Sequence, residues 1–279
     1  MPRLNRTVKD AVYGVAVGDA LGVPVEFRAR DTYRIDGMTG GGTHNKSAGT
    51  FSDDTSLTLA TANSIRICGG IDADDMRERY RAWLEEGAYV VDGDVFDVGN
   101  TTARALESGL GQAGKRDNGN GSLMRIVPLA FVDGVTDEQI GAVSAITHAH
   151  ETAKRACVIY VRLAQALLGG ASVEEAIGSL GEHDMPAPFD RLPRIASLLR
   201  DNIRSTGYVV DTLEAAFWCL AATDSFEDAV LTAVNLGDDT DTVGAVAGGL
   251  AGIAYGYGAI PPAWIGALRG RGILEASLF

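Results

Sequence analysis

Cysteine is scarce: three in 279 residues, too few for a disulfide framework. Cys68, Cys157 and Cys219 are also too scattered for a zinc-type spacing. Each has apolar neighbours, so buried free thiols in a reducing cytoplasm are expected. Cations are outnumbered, with 24 Lys and Arg against 37 Asp and Glu and a formal charge of −13. A broad nucleic-acid surface is therefore not expected, because such a face concentrates Lys and Arg. A small anion held by backbone amides remains compatible with that charge. No segment reaches the roughly 18 consecutive apolar residues that a membrane span needs. The most apolar stretch, 243–257, is interrupted by glycines and preceded by acids. Basic residues near Met1 are not followed by the apolar core of a secretory leader, so no membrane association is expected.

Alternation of period two is nearly missing as well. Tyr208-Val209-Val210 is the best strand candidate. Helical periodicity dominates instead. Val8, Val12, Val15 and Asp19 share a stripe that ends near Gly22, with Pro24 just beyond. A second helix opens at Asp53, carries Leu57, Ala60, Ser64 and Cys68 on one face, and stops at Gly69-Gly70. Others run from Thr152 to Leu168 and from Thr242 through Ala254. Their apolar residues spread over more than one face, as in central helices of a large bundle. With 46% apolar and 22% charged residues, the chain has material for a sizeable core. No repeat or linker divides it, and the Pro- and Asp-rich segment 181–194 is the nearest thing to a boundary. A single domain over residues 1–279 is expected, all-α and built as a helical bundle. Two long glycine-bearing loops, 37–49 and 109–121, precede chemistry-bearing residues.

Thr50-Phe51-Ser52-Asp53-Asp54-Thr55 places a hydroxyl and two carboxylates at a helix start. Capping by Ser52 or Asp53 is one reading, and cation ligation is the other. Gly237-Asp238-Asp239-Thr240-Asp241-Thr242 is harder to explain by capping, since one cap needs one acid and neighbouring carboxylates repel. Residues two apart do not share a helix face, so Asp239 and Asp241 are expected to converge in a non-helical turn. Ser52, Asp53, Asp54, Asp239, Asp241 and Thr242 together offer only oxygen donors. That set suits Mg²⁺ or Mn²⁺ and disfavours zinc and copper. Four carboxylates balance two divalent ions, which can orient a substrate and activate water.

The stretch Asn118 to Arg125 reads as an anion cradle or a flexible turn, with Arg125 either on a phosphate or paired with a structural acid. Glu26 lies past a helix end in an apolar setting that raises a carboxyl pKa. Asp97 caps a helix or faces a pocket, and His148 precedes a strongly apolar helix.

The pieces GDALGVPVEF, FSDDTSL, DVGNTTARAL, NGNGSLMR, the Thr147-His148 pair and NLGDDTDTVGAVAGGLAG together resemble the ADP-ribosylglycohydrolase family, in family order from about residue 10 to residue 265. The resemblance implies an orthogonal all-α bundle with a binuclear Mg²⁺ or Mn²⁺ centre held by Ser52, Asp53, Asp54, Asp239, Asp241 and Thr242. Family members more often carry Thr at the position of Ser52 and Trp or Tyr at that of Phe51. It further implies ADP-ribose contacts from Gly119, Asn120, Gly121, Ser122 and His148, and Asp97 near the distal ribose. Glu26 matches a position linked in some members to metal coordination and catalysis. The implied reaction releases ADP-ribose from a modified protein or small molecule by hydrolysis at C1″ of the distal ribose. Glu26 is then the preferred proton-handling group, with Asp97 the competitor, and arginine the leading acceptor. Two rival readings remain: an inactive ADP-ribose-binding or crystallin-like protein, and a metal-dependent phosphohydrolase.

Overall fold

A computed structural model describes residues 4–182 and 185–279. Its elements are helices joined by loops. No strand occurs among the described residues, only isolated bridges at Gly41–Lys46, Gln112–His148 and Gly119–Tyr208. The principal helices are α1 (Val8–Gly22), α2 (Asp53–Cys68), α3 (Ala73–Glu86), α4 (Asn100–Ser108), α5 (Asp137–Ala145), α6 (Glu151–Leu168), α7 (Val173–Gly178), α8 (Val209–Ala221), α9 (Phe226–Val234) and α10 (Thr240–Tyr255). Two short ones follow, α11 (Pro262–Ala267) and α12 (Arg271–Ser277). No helix among the described residues is long and apolar enough to cross a membrane. The 181–194 segment contains residues 183 and 184, which lie outside the described residues.

Helices α1 and α10 form the axis of the core, and their sequences show why they can lie so close. Gly14, Gly18 and Gly22 recur every fourth residue on α1, as do Gly244, Gly248 and Gly252 on α10, so each set makes a stripe. A Cβ on Gly14 would sit 2.1 Å from the Gly248 carbonyl oxygen, and one on Gly18 would sit 2.0 Å from that of Gly244. Gly22 meets the backbone of Asp241 and Gly252 meets that of Asp10, so the helices run antiparallel. Their backbones touch with no side chain between them. The two ends of the sequence are thereby joined, and the start of α10 lies beside the end of α1.

Around this axis the apolar faces of α2, α3, α6, α8 and α9 close the core. Tyr80, Trp83, Tyr160, Phe217 and Phe226 are fully buried there, each such aromatic contributing roughly 2–3 kcal/mol on burial. Tyr160 donates its hydroxyl to the Val246 carbonyl at 2.9 Å, which satisfies the polar tip inside the core. The 26–52 connection is pinned by Arg30, whose guanidinium donates to the carbonyls of Leu236, Arg200 and Ile203 at 2.6, 3.0 and 2.7 Å.

Three sequence expectations are corrected. Tyr208-Val209-Val210 is not a strand: Tyr208 caps α8, and the β-branched pair begins a helix whose residues Val209–Leu220 are all buried. Burial on every side overrides the local β preference. Cys68 is exposed, whereas Cys157 and Cys219 are buried. It sits in the last turn of α2, past Ile65, the last buried residue before the left-handed Gly69 cap. Helix α10 starts at Thr240 rather than Thr242, so Asp241 belongs to its first turn and only Asp239 keeps non-helical backbone.

Candidate functional site

Ser52 caps α2, its Oγ accepting from the Asp54 amide at 3.3 Å. The turn is held from below by Asp19, which is completely buried on α1. Its carboxylate accepts from the Ser52 amide at 2.9 and 3.0 Å, from the Thr55 amide at 3.0 Å and from the Thr55 hydroxyl at 2.5 Å. Those bonds use up Asp19, while Asp53 lines the cavity and Asp54 is buried behind it, its Oδ2 accepting from Ser52 Oγ at 3.2 Å. Asp19 was not among the candidate site residues. The available signal was an acid on an otherwise apolar helical stripe.

From the other side, the glycine contact between α1 and α10 carries the second acidic turn to the first. Thr242 Oγ1 lies 3.4 Å from Asp54 Oδ2, although 188 residues separate them. Asp239 accepts from Asn120 Nδ2 at 2.8 Å, and the same amide reaches Thr212 Oγ1 at 2.9 Å. Carboxylate oxygens of Glu26, Asp239 and Asp241 lie within 4.8 Å of one another, as do those of Asp53, Asp54 and Asp97. Ser52, Asp53, Asp54, Asp241 and Thr242 are buried.

Such crowding perturbs every acid in the cluster. Burial, then neighbouring carboxylates, pushes Asp53, Asp54 and Asp241 well above the usual carboxylate range. Burial also raises Asp239, against the pull of its hydrogen bonds to Asn120 and Thr242. Asp19 is pushed up to about 7 by burial, its hydrogen bonds opposing. Glu26 is pushed up to about 9 by burial and then by Asp97, Asp239 and Asp19. Asp54 Oδ1 and Asp241 Oδ2 are buried without a hydrogen-bond partner among the described residues. Nor is any Lys or Arg paired with Asp53, Asp54, Asp239 or Asp241 among them. Oxygen donors, orphaned carboxylate atoms and missing protein counter-charge fit hard divalent cations.

The adjoining cavity, about 350 Å³, is lined by Glu26, Phe27, Asp53, Asp97, Gly119, Asn120, Gly121, His148, Asp239 and Thr242 among others. Asp97 takes a left-handed conformation with φ 58°, a strained state for a non-glycine residue that often marks a functional site. His148 is buried, and burial followed by Arg125 lowers its pKa to about 3, so the ring is neutral. Its Nδ1 joins a short hydrogen-bond chain. Arg125 donates to Thr147 Oγ1 at 2.7 Å, and Thr147 Oγ1 lies 2.8 Å from His148 Nδ1. The Thr147 hydroxyl thus bridges the Arg125 guanidinium and Nδ1; donating its own hydrogen to Nδ1 would leave Nε2–H as the ring donor. Nε2 lies close to Gly121, where a Cβ would meet the ring at 2.8 Å. Gly121 is therefore needed for the loop to pass.

Not every candidate faces the cavity. The Ser122 hydroxyl is fully buried and turns to Ser144 at 2.9 Å and Cys157 at 3.5 Å, so only its backbone stays near the loop. Arg125 is neither on the cavity nor paired with an acid. It is wholly buried, donates to the Gly121 carbonyl and Thr147, and stacks 4.4 Å from the Tyr80 ring centroid. It braces the glycine loop from behind. His44, in the 37–49 loop, was not anticipated: its Nε2 contacts Glu26 Oε2 directly.

Compared with known proteins, residues 1–278 match the model of the ADP-ribosylglycohydrolase family. The chain is 37% identical to "ADP-ribosylarginine hydrolase Tri1" of Pseudomonas putida, over 92% of this chain and 72% of that one. It is 32% identical to "ADP-ribosyl-[dinitrogen reductase] glycohydrolase" of Rhodospirillum rubrum, over 96% of this chain and 92% of that one. A solved structure described as "ADP-ribosylglycohydrolase-related protein complex" superposes with a TM-score of 0.83 at 34% identity, covering 97% of this chain and 94% of that one. The chain belongs to the ADP-ribosylglycohydrolase family and is a glycosyl-bond hydrolase.

Proposed function

We propose that the chain hydrolyses the bond between arginine and C1″ of ADP-ribose, releasing ADP-ribose from modified proteins. The observation that carries this reading is the meeting of the Ser52–Asp54 and Asp239–Thr242 turns beside a cavity that also holds Glu26, Asp97 and His148. The relatives' arginine-linked substrates support the choice of acceptor. Ser52, Asp53, Asp54, Asp239, Asp241 and Thr242 are the residues that would hold two Mg²⁺ or Mn²⁺ ions. When bound, such ions supply positive charge that orders ribose hydroxyls and acidifies water.

Cleavage at C1″ builds oxocarbenium character on the distal ribose. Asp97, on the cavity wall, is placed to stabilise that charge. Glu26, raised toward protonation by burial, takes and returns the proton at the C1″ side, held in place by its contact with His44. Asp97 accepts from ribose hydroxyls. His148 donates its Nε2–H to a ligand oxygen, and the Gly119–Ser122 backbone lies close enough to line the diphosphate.

Incubation with ADP-ribosylated arginine protein and Mg²⁺ should release free ADP-ribose. Release of AMP would instead identify a phosphohydrolase, and release of nothing despite substrate binding would favour an inactive binding protein. Glu26→Gln should abolish turnover while metal still binds. Normal turnover in Glu26→Gln with loss in Asp97→Asn would transfer the proton role to Asp97.

A further inference from the structure

Phe27 is two-thirds exposed (67%) at the mouth of the catalytic cavity, an unusual place for a large apolar side chain. Its backbone is also held in the left-handed region, with φ 63°, which bulky residues avoid. Two reciprocal bonds fix it there: the Phe27 amide donates to the Asp238 carbonyl at 2.6 Å, and the Asp238 amide donates to the Arg28 carbonyl at 3.0 Å. The Phe27 backbone is thus tied to the turn that presents Asp239. Neither core packing nor turn chemistry asks for an aromatic residue at this position.

The surroundings show what the ring is for. Phe27, His44 and Phe96 form a row of rings, with centroids 6.3 Å apart for Phe27–His44 and 5.1 Å for His44–Phe96. Phe96 already carries a cation on its face, Lys46 Nζ at 4.3 Å from the centroid. Arg28, the nearest cation in sequence to Phe27, turns away and stacks on Tyr33 at 5.1 Å. No cation among the described residues covers Phe27. Asp97 lines the same cavity, so a positive group placed over the ring gains from its π face and from that carboxylate together.

We propose that Phe27 is a specificity-determining residue: its ring is the platform for the cationic guanidinium of the acceptor arginine. This inference rests on the arginine reading above and names the residue that selects the acceptor. Adenine, neutral and attached to the opposite end of the substrate, gains nothing from the Asp97 carboxylate.

The test measures kcat and KM for an ADP-ribosylarginine peptide, together with the dissociation constant of free ADP-ribose. Phe27→Gly removes the ring and relieves the positive φ, so it folds even if Phe27→Ala does not. Loss of a partly desolvated cation–π contact should raise KM about threefold to thirtyfold. The free ADP-ribose constant should stay within about twofold, and Phe27→Trp should restore KM while Phe27→Leu should not. Equal weakening of free ADP-ribose in Phe27→Gly would place the ring under the ADP-ribose half and overturn the inference. So would an unchanged KM, or full rescue by Leu. Agmatine, a guanidinium without ADP-ribose, is titrated in parallel into the ADP-ribose complex of the wild-type and Phe27→Gly proteins. Agmatine binding that depends on Phe27, in an enzyme that fails to cleave the arginine conjugate, would sink the arginine hydrolase reading and keep the cation platform. Cleavage of the conjugate with agmatine binding independent of Phe27 would do the reverse.

Discussion

Replacing Gly18 by Ala tests whether the α1–α10 contact builds the site. The added Cβ would lie 2.0 Å from the Gly244 carbonyl oxygen and 2.4 Å from its carbon. A carbon–oxygen contact relaxes at about 3.3 Å, so the helices must part by roughly 1.3 Å. Both obstructing atoms are backbone, and no rotamer change relieves them. Overpacking of this kind costs about 3 kcal/mol, at the upper end of the usual range, and the better helix propensity of Ala returns up to about 1 kcal/mol. A net loss of about 2 kcal/mol corresponds to a melting temperature lower by roughly 4 °C in a domain of this size. The larger effect falls on function. Gly18 adjoins Asp19, and Gly244 follows Thr242 by two residues, so the parting moves the two acidic turns against each other. A site of this kind tolerates about 0.5 Å, and Mn²⁺ affinity should fall at least about tenfold. Gly266→Ala is the control, since nothing lies within 4 Å of a Cβ there. Differential scanning calorimetry and isothermal titration with Mn²⁺ read both effects. If Gly18→Ala melts and binds Mn²⁺ like the Gly266→Ala control, the helix contact does not set the site.

The carboxylate shifts predict how stability follows pH. Glu26 rises to about 9 and Asp19 to about 7, from ordinary values of 4.5 and 3.8, so between about pH 4 and pH 9 the folded chain binds more protons than the unfolded one. Stability of the protein in EDTA should therefore fall as pH rises through that window, and the stabilisation by added Mn²⁺ should grow; a metal-free melting temperature that climbs with pH would contradict the cluster as described. Asp19→Asn replaces a charged acceptor of the Ser52 and Thr55 donors and should cost about 2–3 kcal/mol in a denaturant titration, with weaker Mn²⁺ binding; unchanged stability would mean the turn holds itself. Thr147→Val removes the hydroxyl between Arg125 and His148, so KM should rise several-fold and stability fall by about 1–3 kcal/mol. Nitrogen NMR of His148 in the unaltered protein should show hydrogen on Nε2, and hydrogen on Nδ1 would refute the assigned relay.

What could be read without coordinates was whatever short-range pattern determines. The spacing around Val8–Asp19 and Asp53–Ser64 located α1 and α2 because an apolar stripe and a terminal glycine act within a few residues. The two acidic turns stood out because clustered carboxylates are costly unless something balances them. Residues whose meaning depends on a distant partner stayed hidden. Asp19 looks like one more helix residue until Ser52 and Thr55 are placed on top of it, and His44 looks like a loop residue until Glu26 is set against it. Arg125 beside a glycine loop suggested an anion, yet its neighbours in space are Tyr80 and Thr147. The direction of the Ser122 hydroxyl was hidden for a different reason. The loop sequence marks a close-approaching backbone but not which face of the chain turns outward, and the hydroxyl went to Ser144.

The glycines of α1 and α10 connect the fold to its chemistry. Within a helix each glycine is roughly 1 kcal/mol less favourable than alanine, so two stripes of them weaken both helices locally. The compensation lies in contact, since glycine lets two backbones approach where any Cβ would hold them apart. That closeness sets Asp19 under the Ser52 cap and Thr242 beside Asp54, bringing both acidic turns to one cavity. The cluster itself opposes folding, because its buried carboxylates shift toward protonation and two of their oxygens have no hydrogen-bond partner among the described residues. Helices held by rigid backbone contact can bear such repulsion without spreading, whereas a site carried on free loops would open to let water separate the charges. Cation affinity then follows from the strain: the acids that destabilise the empty cluster are the ones a divalent ion relieves.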